Sequence, residues 1–417
     1  MMETATIPVK TKLPARAWLV VALLSIVGCL NYLDRTMITT MRESIITAIP
    51  MTDSQFGLLT SSFLWVYGLL SPFAGFLADR FNRSRVIICS LFLWSIVTWM
   101  TAYTTTFEGL LATRILMGVS EACYIPAALA LIMDYHRTNT RSLATGIHMV
   151  GIMCGSGMGF IGGWVAEKHH WSTSFILLGI VGVIYAVILV YTLRDVPKQT
   201  NESTTAPLEE KISFFTALKD LFGLRSFNLM LAAWGLLGTV TWLVVGWLPT
   251  YLQENFHLTQ SMAGLYATGF YYPAAFIGLL LGGYWADRWS RTNPRARLLV
   301  PVIGLSIGAP CIFIASSTPF LAIAVGCFML FSLTKAFIDT NMMPILSMAA
   351  NPRYLATGYG ILNLVACIIG GVGLYAGGVL RDAQINLSKI YQVAALVMIA
   401  SIVLLALVRP HTKTGDK

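Results

Sequence analysis

Long apolar stretches dominate the chain, and short polar or basic breaks separate them. Their approximate limits are 17–40, 55–79, 85–104, 108–134, 142–166, 172–194, 227–252, 261–286, 297–317, 319–349, 354–380 and 388–409. About 20 apolar residues in a row suffice for a helix to cross a bilayer. The pattern therefore predicts twelve membrane helices. No ten-residue alternation of apolar and polar positions recurs, which argues against a transmembrane β-barrel. In lipid, every backbone amide must find a partner within the protein, so the remaining solution is an all-α bundle. One break is long. Residues 195–226 contain KQTNESTTAPLEEK, rich in Thr, Ser and Glu, and are expected to be a linker. The chain accordingly divides into an N-terminal six-helix bundle (1–194), a linker (195–226) and a C-terminal six-helix bundle (227–417).

Composition sharpens this picture. Of 417 residues, 11% are charged, against about 25% in a soluble protein, and the mean hydropathy is +0.71. A net charge of +9 would raise nucleic acid as a partner of a soluble chain, but the loops explain it here. Alternate breaks hold Lys10, Lys12 and Arg16; Arg80, Arg83 and Arg85; Arg137 and Arg141; Arg194 to Arg225; Arg288, Arg291, Arg295 and Arg297; Arg353; and Arg409, Lys413 and Lys417. The opposite set holds only Arg42, Lys168, Arg381 and Lys389. Basic loops stay on the cytoplasmic side, so both termini and the linker are expected there, in a plasma or bacterial inner membrane. The seven cysteines lie in apolar segments without CxxC spacing and are expected to be packed thiols, neither disulfides nor metal ligands. The polar N-terminus lacks the pattern of a removable signal peptide.

Two segments repeat. GLLTSSFLWVYGLLSPFAGFLADRFNRSR (57–85) matches GLYATGFYYPAAFIGLLLGGYWADRWSRTNPRAR (264–297), with Asp79 and Asp287 208 positions apart (287 − 79). RSLATG at 141–146 recurs as RYLATG at 353–358, an offset of 212 (353 − 141). Small residues alone pack membrane helices closely, but that does not produce two matched motifs at nearly one offset. Parallel six-helix repeats with substrate between them are a transporter plan.

The segments GFLADRFNRSR (Gly75, Asp79, Arg80, Arg83, Arg85) and GGYWADRWSR (Gly283, Asp287, Arg288, Arg291) resemble the signature loops of the major facilitator superfamily. That resemblance implies two pseudo-symmetric bundles and alternating access. An acid at a helix end beside arginines can latch the cytoplasmic side across the halves, with Asp79–Arg141 and Asp287–Arg353 as candidate latches. Within the superfamily, NYLDR (Asn31, Tyr32, Asp34, Arg35), RILMGVSEACYIP (114–126) and WLPTYLQE (247–254) resemble the anion:cation symporters, which move organic anions such as sugar acids with protons or sodium. The resemblance implies that Arg35 binds a substrate carboxylate, that Glu121 and Asp34 carry the coupling proton, and that Arg114 responds to Glu121. GVSEACY (118–124) and GSGMG (155–159) also resemble the spinster group of lysolipid and sphingolipid transporters, which supplies the alternative cargo. A drug:proton antiporter is a third reading, disfavoured because GMGFIGG lacks that group's proline.

Six ionisable residues fall well inside the spans: Asp34, Arg35, Arg114, Glu121, Lys335 and Asp339. Each costs about 2.5–3.5 kcal/mol or more at the bilayer centre unless partnered. Arg114 and Glu121 are seven residues apart on one helix, about 10 Å in depth. Asp34 and Arg35 match the depth of Arg114 better. The expectation is an Asp34–Arg114 pair, with Arg35 free for a ligand anion through its planar fork. Burial disfavours a charged carboxyl and a nearby cation favours it; Glu121 feels both, which suits a group that loads and releases a proton. The competing explanation is a static buried ion pair. Lys335 and Asp339, four apart, form either an internal pair or a second anion contact. Asn341 and Asn363 are candidate hydroxyl contacts, and Tyr32, Trp65, Tyr67, Trp242, Tyr271 and Tyr272 are candidates to stack on a ring. His148 is expected to be packed, and His169 and His170 solvated. No nucleophile–base pair, nucleotide loop or metal cluster suggests an enzyme. The expected function is proton-coupled symport of a small organic anion by a monomer that needs no cofactor beyond the coupling ion.

Overall fold

The computed structural model describes residues 15–136, 138–196, 214–350 and 355–409. Among them, twelve helices are long and apolar enough to cross a membrane, and no strand is present. They are α1 Ala15–Thr40, α2 Asp53–Arg80, α3 Arg83–Thr101, α4 Phe107–Tyr135, α5 Thr140–Lys168, α6 Trp171–Thr192, α7 Arg225–Phe256, α8 Gln260–Ser290, α9 Ala296–Ser317, α10 Leu321–Ala349, α11 Thr357–Asp382 and α12 Leu387–Ala406. Every expected span is recovered. Within the expected linker, Phe214–Gly223 is helical, because FFTALKDLFG spaces its apolar residues at helical period. Residues 197–213 and the two tails lie outside the described residues.

Local sequence explains where helices begin. Thr52, Asn82, Thr106, Thr259 and Asn386 each turn a side-chain oxygen onto a first-turn amide, satisfying donors that the helix itself leaves open. Thr52 and Gln55 complete a reciprocal capping box. α4 is interrupted just after Glu121, with helical runs Phe107–Glu121 and Tyr124–Tyr135. Pro126 has no N–H to donate back toward Ala122, which loosens that turn. α8 contains a π-helical turn at Leu265–Phe270, a feature often found at functional sites.

The packing repeats as the motifs do. α1 packs on α5, α2 on α4 and α3 on α6; in the second half α7 packs on α11, α8 on α10 and α9 on α12. Each pairing is the other shifted by six helices. Glycine permits the tightest contact. A Cβ at Gly151 or Gly155 would run into the α1 backbone at Ser25 or Cys29, so small residues set the α1–α5 distance. Between halves, α2 lies along α11, and α5 along α8.

The halves are joined firmly at the end opposite the arginine-rich loops. There Arg42 and Arg381 both pair with Asp53, Arg381 at 3.0 Å, and Arg381 also holds Glu254 at 2.6 Å. Asp382 accepts from the Asp53 and Ser54 amides at 2.9 and 3.0 Å. Ser44 donates to Gln260, Gln253 to Glu43, and the Ser261 amide to Glu167. Toward mid-depth, Ser61 donates to the Gly371 carbonyl at 2.7 Å and Trp65 to that of Ile368 at 3.0 Å.

Candidate functional site

The charged cluster of the first half assembles as a chain of alternating sign. α1 presents Asp34 and Arg35 on adjacent positions, so they point to different neighbours 100° apart around the helix. Arg35 Nε donates to Glu121 Oε2 at 2.6 Å. Thr98 on α3 donates to Asp34 Oδ2, and Arg114 Nη2 lies 3.9 Å from Asp34 Oδ1. Asp34, Arg114 and Glu121 are buried to 2% exposure or less, and Arg35 keeps only 7% of its side chain accessible. At 3.9 Å the Arg114–Asp34 contact is through space and not a hydrogen bond.

The expected Asp34–Arg114 pair is therefore present, but Arg35 is not free: it is bonded to Glu121. The depth comparison considered only Cα positions. An arginine side chain spans more than a turn of helix, which closes the gap to Glu121. Three aromatic rings enclose the Arg35 guanidinium, Tyr67 at 4.3 Å, Tyr32 at 4.6 Å and Phe63 at 4.9 Å from ring centre to carbon. Ring faces attract a cation by about 0.5–2 kcal/mol each. The cage thus offsets part of the cost of burying the charge.

The cluster is incompletely satisfied. Arg35 Nη2, Arg114 Nε and Nη2, Glu121 Oε1, Asp34 Oδ1 and both amide atoms of Asn31 have no hydrogen-bond partner among the described residues. Buried polar atoms in native proteins nearly always have one. Arg35 and Arg114 line a cavity of about 70 Å³ between the halves, walled otherwise by Tyr32, Phe63, Leu64, Val245, Leu374, Trp242 and Tyr272, with threonines 36, 39, 60 and 268. The Thr268 hydroxyl on the π-helical turn accepts from the Phe160 amide at 2.9 Å. Two arginines with spare donors on one apolar wall can bind an anion that carries a hydrophobic body.

Other expected site residues fall elsewhere. Lys335 and Asp339 form the internal pair, 2.7 Å apart, and neither lines this cavity. Tyr271 is buried behind Tyr272, its carbonyl taken by Ser332. Asn363 is half-buried on α11 and Asn341 donates to the Phe337 carbonyl; neither lines the cavity. Trp65 and Tyr67 sit at the interface and in the arginine cage. His148 is fully buried against Tyr124, as expected of a packed ring.

Each candidate latch has one member outside the described residues, the side chain of Asp79 in one and Arg353 in the other. Arg141 donates to the His136 and Met133 carbonyls of its own half. Asp287 pairs with Arg297 at 3.3 Å, Arg83 pairs with Asp134, and Arg80 and Arg288 are exposed. Among the described residues, an inter-half charge network stands at the opposite end, on Asp53, Arg42 and Arg381. Arg42 and Arg381 appeared in the sequence only as sparse charges of the opposite loops, and Asp53 was not singled out. The signal that could have found them is the pairing of a lone basic residue with a first-turn helix acid 11 positions on.

The family follows from the whole-chain match. The model of the Major Facilitator Superfamily aligns with residues 24–374 and 242–417. The chain belongs to the Major Facilitator Superfamily. Among relatives of this transporter, Protein spinster homolog 1 of Xenopus tropicalis is 27% identical over 373 residues, covering 85% of this chain and 66% of the relative. The sphingosine-1-phosphate transporter SPNS2 of Mus musculus is 28% identical over 380 residues, covering 84% and 67%. The chain thus spans about two thirds of the length of these relatives. A crystal structure of a bacterial homolog to the human lysosomal transporter Spinster, inward-facing and unoccupied, superposes with a TM-score of 0.77 at 24% identity, over 95% of this chain and 96% of that one. At that identity the likeness concerns the fold. This major facilitator protein is a multi-pass membrane transporter, with twelve helices among the described residues long and apolar enough to cross a membrane.

Proposed function

We propose that the protein is a proton-coupled transporter of an amphipathic anion of the lysolipid or sphingoid-phosphate class. The carrying observation is the cavity itself: two arginines with unpaired donors sit at one side of a wall that is otherwise aromatic and aliphatic. A sugar acid presents hydroxyls on every face and would need more polar partners than these threonines offer. An acyl chain needs none. The relatives bear spinster names, which favours this alternative over the symport of a sugar acid. The cavity is small while one end is sealed, so loading a lipid-sized cargo requires the halves to part.

Glu121 is the coupling group in this account. Arg35 holds it charged. When an anionic headgroup takes over Arg35, Glu121 loses its partner and accepts a proton, since an unpaired buried carboxylate is strongly disfavoured. Arg114 and Asp34 form the second station, steadied by Thr98. With the arginine-rich loops taken as cytoplasmic, the sealed end faces outward and the cluster exchanges with the cytoplasm. The test is uptake into proteoliposomes of a fluorescent lysophospholipid and of labelled sugar acids, with and without a proton gradient. Gradient-dependent movement of the lysolipid alone is expected. Movement of the sugar acids alone would replace this reading with the symporter one.

A further inference from the structure

A second hollow lies on the outside of the first half. It has a volume of about 580 Å³ and is bounded by α2, α3 and α4. Its rim is apolar and exposed: Leu77, Phe81, Leu93, Leu116 and Val119. Its floor is made of small residues, Cys89, Ser90, Ser120 and Cys123. The floor has no unmet polar demand, because the Ser90 hydroxyl donates to the Ser120 carbonyl and the Ser120 hydroxyl to that of Met117. Nothing in it calls for water.

One end of the groove is charged. Arg85, in the first turn of α3, lines it and is exposed. Two carboxylates described nearby are engaged elsewhere: Asp134 pairs with Arg83, and Asp195 accepts from the Ser84 amide at 2.8 Å. Arg85 has no ion-pair partner among the described residues. From Arg85 the groove follows α3 to Val97, twelve residues or roughly 18 Å at 1.5 Å per residue. One leaflet of the hydrocarbon core is about 15 Å deep, half of about 30 Å. The groove thus has the length of one acyl chain, a charge where a headgroup would lie, and a dry floor.

We infer that this groove is a binding site for an anionic phospholipid of the surrounding bilayer, with its headgroup on Arg85 and an acyl chain along α3 and α4. The site is distinct from the cavity between the halves, because it opens away from the second half. It also has a route to the mechanism. Ser120 and Cys123 flank Glu121 and the interrupted turn of α4, so a chain lying on them buttresses the segment that carries the coupling carboxylate.

The test uses the full-length protein, purified and exchanged into bilayer nanodiscs made from equal amounts of phosphatidylglycerol and phosphatidylcholine. Lipids retained after mild extraction are counted by native mass spectrometry. The native protein is expected to retain phosphatidylglycerol in preference, and Arg85→Gln to lose that preference roughly fivefold, the effect of one basic side chain at an anionic headgroup. Cys89→Phe, which fills the groove from an exposed position, is expected to lower retention of both lipids. Equal retention of the two lipids by the native protein, or an unchanged preference in Arg85→Gln, would overturn the assignment. If Arg85→Gln does not yield a monodisperse protein, Cys89→Phe decides: full retention there excludes the groove.

Discussion

Arg35 and Glu121 hold each other in a place where neither charge is tolerable alone. Removing one partner of a buried pair leaves the other uncompensated, at about 3–5 kcal/mol. Arg35→Gln should therefore lower the melting temperature in detergent by several degrees, and Arg35→Gln/Glu121→Gln should recover much of the loss. Additive losses in the double variant would show that the two are not coupled. Glu121→Gln alone should still bind cargo and exchange it across the membrane, but fail to accumulate it against a gradient. Unchanged uphill uptake in that variant would remove Glu121 from the coupling step. The identities of the four central charges were legible in the sequence, because an ionisable residue inside an apolar span is rare and costly. Their pairing was only half legible. Asp34–Arg114 followed from depth, while Arg35–Glu121 depended on side-chain reach and on the cage of Tyr32, Phe63 and Tyr67. Phe63 carries no periodic or charge signal, so nothing in its local sequence marked it.

At the scale of the helix, glycine spacing and helix breaks decide the geometry. Gly155 faces the α1 backbone at Cys29 with no room for a side chain, whereas Gly146 on the same helix has nothing within 4 Å of the space a Cβ would fill. Gly155→Leu should push α1 from α5, displace Asp34 and Arg35, and abolish transport with a large fall in thermal stability. Gly146→Ala should leave both nearly unchanged. Equal effects at the two positions would contradict the packing argument. The repeat that aligned α2 with α8 and α5 with α11 is visible in the sequence because each copy of a motif meets the same neighbour. The interruption after Glu121 and the π-helical turn of α8 were not, since apolar periodicity continues through both. The helix at Phe214–Gly223 was missed because it follows a polar run that sets the composition of the whole linker.

For the whole molecule, the charge pairs of the sealed end meet on one shared acceptor. Asp53 holds Arg42 within the first half and Arg381 from the second, and Arg381 is steadied by Glu254. Asp53→Asn weakens both bridges at once and should shift the population toward states parted at that end. Spin labels on either side of the seal, read by pulsed dipolar spectroscopy, should report a longer mean distance in the variant. An unchanged distance distribution would mean that the hydrogen bonds of Gln260, Gln253 and Glu167 hold the seal without it. The sequence directed attention to the opposite end, where acid–arginine motifs are dense and where one member of each candidate latch lies outside the described residues. The claim on which the account turns is that arginine and apolar wall together select an amphipathic anion and draw it in with protons. Its most direct test is proton-gradient-driven uptake of a lysophospholipid into proteoliposomes of the native protein and of Arg35→Lys, which keeps the charge but not the fork. The account predicts accumulation by the native protein only when a gradient is applied, and a marked loss with Arg35→Lys. Accumulation that ignores the gradient, or that Arg35→Lys leaves intact, would contradict it.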